Sequence, residues 1–180
     1  MPFQSHISRW NGAKRTKMEI RKLEKAELHF VREVADVVWP ITFREILSQE
    51  QIVYMMKMMY APDVMDREFD EGVSFYGVFD GTRAIGYLTM GEYDKPCTMK
   101  LHKCYLLPEF QGRGIGSQML AFAKKIAVEQ GYNHLRLNVN RNNVKAIKAY
   151  LRNGFKTVET VDNPIGNGFF MNDFVMEVEL

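Results

Sequence analysis

Two hydrophobic periods alternate along this chain. Met18-Glu19-Ile20-Arg21-Lys22 reads as an opening strand, and between Lys25 and Val38 the apolar residues Leu28, Val31, Val34, Ala35 and Val38 fall at helical spacing. Pro40 is expected to interrupt that helix, since proline removes a donor and clashes with the preceding turn. A second helix is predicted from Ser48, with Gln51 three residues on in a capping-box arrangement, to about Tyr60. Val73 to Phe79 and Ala84 to Met90 alternate on either side of Asp80-Gly81, which predicts a hairpin. Met99 to Leu107 is the next strand. An amphipathic helix follows over Ile115 to Gln130, with Gly131 as its C-cap. Leu135 to Val139 is a strand, Asn143 to Arg152 a helix ended by Asn153-Gly154, and Phe155 to Val161 and Phe169 to Leu180 are closing strands.

The expected order is therefore strand, two helices, three strands, helix, strand, helix, two strands. Such an order packs as an α/β (α+β) domain, a mixed, mostly antiparallel sheet with helices on both faces. One domain spans residues 18–180. Residues 1–17 are polar and aperiodic, with a basic cluster at Lys14, Arg15 and Lys17, and are expected to form a flexible extension.

Composition narrows the class. A chain of 180 residues, 46% apolar and 26% charged, matches one soluble globular domain. A formal charge of +2 offers no argument for nucleic acid or an acidic membrane surface. No apolar run approaches the roughly 20 residues of a membrane span, and the N-terminus lacks an apolar signal core. Cys97 and Cys104 lack metal-site spacing and read as reduced thiols, so no metal is expected and the cytoplasm is the expected compartment.

The candidate chemistry begins at Cys104-Tyr105-Leu106-Leu107-Pro108-Glu109-Phe110-Gln111-Gly112-Arg113-Gly114-Ile115-Gly116. A strand ends at Pro108, a glycine-rich turn follows, and a helix opens. Glycines let the backbone bend sharply, and its N–H groups together with the open donors of the helix start suit a diphosphate, with Arg113 adding charge. No Lys follows Gly116, so a P-loop is excluded. Ser117 and Gln118 stand where a dinucleotide fingerprint would continue toward a third glycine, so that reading fails as well. Gln111-x-x-Gly114-x-Gly116 remains. It resembles the Q/R-x-x-G-x-G/A signature of the GCN5-related N-acetyltransferase (GNAT) family, whose loop holds the pyrophosphate of acetyl-coenzyme A.

A second run, Asn140 to Phe155, is similar to that family's N-x-x-A-I-x-x-Y signature followed by N/K-G-F. Read physically, Asn143 caps a helix, and Ala146 and Tyr150 fall four apart on one face. Ala146 leaves room for a ligand, and Asn140 offers an amide to a peptide-like arm. The resemblance implies that Tyr150 protonates a departing thiolate, a task suited to a phenol that is neutral at pH 7. It also implies that the strand before the loop splays from Leu135–Val139. Pantetheine would then bond backbone groups of Tyr105, Leu106 and Leu107, with the Leu106 N–H polarising the thioester carbonyl. Gln111, Gly112, Arg113, Gly114, Ile115, Gly116 and Ser117 would hold the diphosphate.

Some members carry a glutamate base at the position of Lys100; that carboxylate is absent here. His102, expected on the same strand face as Lys100 and Leu106, is the candidate base, with a water chain as the alternative. Glu92, Asp94 and Glu109 are candidates for attracting a cationic acceptor. Lys100-Leu101-His102-Lys103, the Met-rich second helix (Met55, Met56, Met58, Met59) and Ile165 to Met176 look like a bacterial subgroup related to polyamine N-acetyltransferases. The implied activity is direct acetyl transfer from acetyl-coenzyme A to a primary amine, small and polyamine-like or peptide-borne, in a ternary complex. The competing reading is a catalytically silent acyl-coenzyme A sensor or docking module. A homodimer through paired edge strands or a swapped C-terminal strand is compatible with the pattern.

Overall fold

In the computed structural model, which describes residues 18–180, the hydrophobic periods resolve into twelve elements. They are β1 (Met18–Lys22), α1 (His29–Phe43), α2 (Gln49–Tyr60), α3 (Pro62–Asp70), β2 (Ser74–Asp80), β3 (Arg83–Glu92), β4 (Thr98–Leu106), α4 (Ile115–Glu129), β5 (His134–Asn140), α5 (Val144–Arg152), β6 (Lys156–Gly166) and β7 (Phe169–Glu179). The expected extension over residues 1–17, with its basic cluster, lies outside the described residues. No helix among them is long and apolar enough to cross a membrane.

The strands form one sheet of order β1-β2-β3-β4-β5-β7-β6. Every neighbouring pair is antiparallel except β4 with β5, which is parallel. The sheet is thus mixed and mostly antiparallel. The β2–β3 turn carries Gly81 at φ 61°, a left-handed conformation that favours glycine. The edges are β1 and β6, while β7 is paired on both sides within the chain.

Helices cover both faces. Phe75 of β2 meets Phe69 of α3, whereas its neighbour Tyr76 points the other way and meets Phe122 of α4 edge-on at 5.1 Å. The first face carries α1, α2 and α3; the second carries α4. Lys124 of α4 donates to the Asn153 carbonyl, which ties the end of α5 to α4.

Two expectations about the helices are corrected. Pro40 does not end α1, which runs on to Phe43. A proline inside a helix costs about 3 kcal/mol. Trp39 and Phe43, one turn apart and both buried, pack on each other and on Tyr105, and each gains about 2–3 kcal/mol from that burial. Tertiary packing outweighs the local penalty. Second, α3 was not expected. Its sequence, Pro62-Asp63-Val64-Met65-Asp66-Arg67-Glu68-Phe69-Asp70, is mostly polar, and its apolar face is short: Met65 is buried and Phe69, one turn on, packs on Phe75. Polar contacts add to this: Asp70 pairs with Lys25 at 2.6 Å and Glu68 pairs with Lys103 of β4. Pro62 opens it at the first turn, where no intrahelical donor is needed.

The capping box of α2 is half formed. Ser48 accepts from the Gln51 N–H at 3.1 Å, but the Gln51 side chain reaches outward and donates to the Phe170 carbonyl at 2.8 Å. With Tyr54 Oη donating to the Ile165 carbonyl at 2.6 Å, this lashes α2 to the β6–β7 hairpin.

Under α1 and α2, the Trp39 indole donates to Tyr60 Oη at 2.9 Å, and Tyr60 and Tyr87 share a hydroxyl bond of 2.6 Å. All three side chains are fully buried. Tyr60→Phe should leave the Trp39 N–H and the Tyr87 hydroxyl short of a partner and lower unfolding stability by about 1–3 kcal/mol, measured by urea denaturation. A loss below about 0.5 kcal/mol would show that the triad contributes little beyond packing.

Candidate active site

The site begins where a strand pair fails. β4 and β5 pair from Thr98↔His134 to Leu101↔Leu137 and no further. At that point β4 also bulges: Met90 of β3 faces Leu101 and Thr89 faces Lys103, so His102 has no opposite number. An extra residue in one strand bends it and resets the alternation of its side chains. This corrects the expectation that Lys100, His102 and Leu106 share one strand face. Lys100 lies opposite Gly91 and Lys103 opposite Thr89, which share one face of β3, whereas Leu106 lies opposite Gly86 on the other.

The antiparallel pairing with β3 decides which backbone groups of β4 face the gap. The Leu107 N–H donates to the Ile85 carbonyl at 2.8 Å. Because such bonds alternate along an antiparallel pair, Tyr105 is also turned toward β3, and Leu106 is turned away from it into the gap. Among Tyr105, Leu106 and Leu107, only Leu106 therefore presents its backbone to a ligand there. The Leu107 carbonyl is taken as well, by the Phe110 N–H. The Leu106 carbonyl accepts from Gln111 Nε2 at 2.9 Å, and Gln111 Oε1 accepts from Lys145 of α5. Gln111 thus bridges the two walls.

Beyond Leu107 the chain makes one 3-10 turn, Pro108–Phe110, and enters the glycine loop. Gly112 and Gly114 adopt φ 74° and 78°, and Gly114 is the residue from which α4 starts. A side chain at Gly112, Gly114 or Gly116 would project into open space, so these glycines serve backbone shape and access rather than packing. With the unpaired first-turn N–H groups of α4, the loop forms a concave donor surface suited to phosphate oxygens. Arg113 points away, its guanidinium 5.3 Å from the Phe110 ring, and does not line the cleft. Ile115 packs on the core, and Leu107 is buried; neither lines the cleft.

On the opposite wall, Asn143 caps α5 by accepting from the Ala146 N–H at 3.3 Å. The Asn140 side-chain oxygen accepts from the Asn142 N–H at 2.9 Å, which leaves its NH₂ for other partners. Ala146 and Tyr150 line the cleft along one face of α5. Burial, and then the neighbouring Cys104, push the Tyr150 phenol upward, so it is a neutral donor at physiological pH. Burial pushes the Cys104 thiol up to about 12, so no thiolate competes beside it.

One continuous cleft of about 910 Å³ joins these parts. Gln111, Gly112, Gly114, Gly116 and Ser117 lie at one end, and Leu106, Cys104 and Tyr150 in the middle. Trp39, Phe43, Met55 and Met59 form the far end with Phe170, Met171 and Asp173. Of the four methionines in α2, Met55 and Met59 face the cleft, Met56 is buried, and Met58 packs against the core. Glu92, Asp94 and Glu109 do not line it, and Glu109 is held by Arg83 at 2.7 Å. Two carboxylates that were not anticipated do line it, the exposed Glu45 just past α1 and the buried Asp173. The signal for Asp173 was a polar residue at an inward position of the alternation Met171, Asp173, Val175 in β7.

His102 lines the cleft and is exposed by area, with its Nε2 close over Gly91. Partial desolvation there, followed by Lys100 and Lys103, pushes its imidazolium down to about 4. Among the described residues no cluster of three His, Cys, Asp or Glu could hold a metal ion.

Comparison with known proteins agrees with this geometry. The model of the acetyltransferase (GNAT) family matches residues 39–155. A spermidine N(1)-acetyltransferase of Thermoplasma acidophilum is 32% identical over 165 residues, covering 89% of this chain and 96% of the relative. The crystal structure of PaiA N-acetyltransferase from Thermoplasma acidophilum in complex with coenzyme A superposes with a TM-score of 0.78 at 29% identity, over 91% of this chain and 99% of that one. A GCN5-related N-acetyltransferase from Rhodopseudomonas palustris shares the fold at a TM-score of 0.74 and 14% identity, over 90% and 95% of the two chains.

The depressed His102 value has a consequence for stability. Between about 4 and its ordinary value of 6.5, the unfolded chain binds the proton and the folded chain does not. Stability should therefore fall as pH drops through that window. His102→Gln should show a shallower fall in its urea midpoint from pH 7 to pH 4 than the wild type. Equal slopes for the two proteins would mean that His102 titrates normally in the fold.

Proposed function

This chain belongs to the GNAT acetyltransferase family and is an acetyl-coenzyme A-dependent N-acetyltransferase, and we propose that it passes the acetyl group directly to a small, polyamine-like or peptide-borne primary amine within a ternary complex. The observation that carries this reading is the unpaired end of β4. It turns the Leu106 backbone into a cleft with a glycine donor surface at one end and an apolar chamber at the other.

In this reading the cosubstrate supplies an activated acetyl group, and the chain supplies its placement. The loop from Gln111 to Ser117 and the start of α4 receive the diphosphate. Ala146 gives the pantetheine arm room beside α5, and the Asn140 NH₂ offers it a hydrogen bond. The Leu106 N–H is oriented by strand pairing before any substrate arrives, which suits it to the developing oxyanion of the thioester carbonyl. Tyr150 donates the proton that the departing thiolate requires. His102, at about 4, is too weak a base to take a proton from an alkylammonium, so we route that proton to solvent. A polyamine-like acceptor is supported by the name of the 32% identical relative, a spermidine N(1)-acetyltransferase. We place the enzyme in the cytoplasm, which the free Cys97 and Cys104 support.

Incubation with labelled acetyl-coenzyme A and a panel of amines should release free thiol and label a primary amine. Coenzyme binding without turnover on any amine would favour the sensor reading. Tyr150→Phe should lower kcat by about tenfold to a thousandfold with little change in acetyl-coenzyme A affinity; full turnover would sink the general-acid assignment. Gly114→Ala must adopt a left-handed φ that costs an L-residue about 1–2 kcal/mol. It should weaken coenzyme A binding by about tenfold in calorimetry. An unchanged dissociation constant would remove the loop from the diphosphate site.

A further inference from the structure

Of the titratable groups on the cleft lining that neither the loop nor the α5 signature accounts for, Glu45, His102, Lys103 and Asp173, only Asp173 is a buried carboxylate. Asp173 sits on β7 opposite Asn140 of β5, and only 3% of it is exposed. Its sole side-chain bond is a long one, 3.5 Å from Asn138 Nδ2. Burial raises the Asp173 carboxyl, and Lys100 and Arg141 lie near enough to oppose that, but their direct contacts are with other groups. Lys100 donates to the Asn138 side-chain oxygen, and Arg141 pairs with Asp162. Among the described residues no cation forms an ion pair with Asp173. A buried carboxylate in this state is costly, and an arriving cation with good geometry relieves that cost.

The surroundings define which cation fits. Tyr105 faces the same end of the cleft, and its phenol is pushed upward by burial first and by several neighbours, Asp173 among them. Tyr150 is another of those neighbours, so Tyr105 lies within electrostatic reach of both the carboxylate and the reacting end. Trp39, Phe43, Met55, Met59, Phe170 and Met171 make the rest of the wall. Aromatic and thioether walls suit methylene groups and adapt to chain length. They carry no counter-charge themselves; of the two carboxylates on the cleft lining, Glu45 is exposed beside Arg44 and Asp173 is the buried one.

We propose that Asp173 is the specificity-determining anchor of the acceptor, holding the non-reacting ammonium group of an aliphatic di- or polyamine whose methylenes lie against the Trp39, Phe43 and methionine wall and whose other, deprotonated amine takes the acetyl group. This assignment rests on the reading of the far end of the cleft as the acceptor site. It selects cationic alkylamines over neutral nucleophiles and over acceptors that carry a carboxylate next to the amine.

The test uses the full chain and Asp173→Asn, which can still accept the Asn138 bond. Spermidine serves as the cationic acceptor, and hydroxylamine, uncharged at neutral pH, as the neutral one. The variant should raise the KM for spermidine at least tenfold. Its acetyl-coenzyme A dissociation constant and its hydroxylamine rate should stay within about twofold of wild type. Asp173→Glu, which keeps the charge, should retain more spermidine affinity than Asp173→Asn. A spermidine KM unchanged in Asp173→Asn would overturn the assignment while leaving the transferase reading intact. Equal losses with both nucleophiles would also overturn it, because a purely structural role predicts that result. A wild-type protein that binds acetyl-coenzyme A but acetylates no alkylamine would instead defeat the acceptor reading, and this assignment with it.

Discussion

The site exists because β4 stops pairing with β5 after Leu101. A sheet normally spends its backbone donors and acceptors on neighbouring strands, and leaving them unpaired in the middle of a sheet is costly. Here the cost is confined to a short stretch. β4 stays bonded to β3 along one side, and Gln111 satisfies the Leu106 carbonyl on the other. The bulge at His102 bends the strand just where the parallel pairing ends. The result is a slot through the sheet whose walls are rigid secondary structure. An amide-rich arm of about strand width can complete the broken pairing.

Rigidity on one side is matched by anchoring on the other. α1 continues through Pro40 because Trp39 and Phe43 are buried together, and that continuation forms part of the apolar wall of the cleft. α2 is tied to the β6–β7 hairpin by Gln51 and Tyr54, so the chamber wall is built from parts far apart in the chain. Electrostatics then divides the cleft. The diphosphate end is made of backbone donors and a helix start, the middle of neutral phenol and thiol groups, and the far end of apolar walls with a single buried carboxylate. Each part favours a different portion of the reacting pair.

Much of this was readable before any coordinates. The two signatures, Gln111 to Gly116 and Asn143 to Tyr150, are local: each depends on residue types within one turn or one helix face, and local geometry follows from them. The Asn143 cap, the left-handed Gly114 and the Ala146–Tyr150 face appear in the fold because few other conformations suit those residues. Arg113 and Leu107 show where local reading fails. Arg113 stands inside the first signature, but its guanidinium lies over Phe110; Leu107 stands before it, and its backbone N–H and carbonyl are taken by Ile85 and Phe110. α3 escaped because its apolar face is only Met65 and Phe69 within a mostly polar segment, and their partner Phe75 is on another element.

The sequence by itself determined the order of elements, the class of fold, the glycine loop and the phenol opposite it, because periodicity and short-range backbone preference decide those features. Only the tertiary structure decided which residues line the apolar end of the cleft. Lys100 and Leu106 came to lie on opposite faces because a bulge is set by register with β3, and register depends on two strands at once. Asp173 became part of the site because β7 inserts between β5 and β6, a pairing of segments more than thirty residues apart that no local pattern encodes.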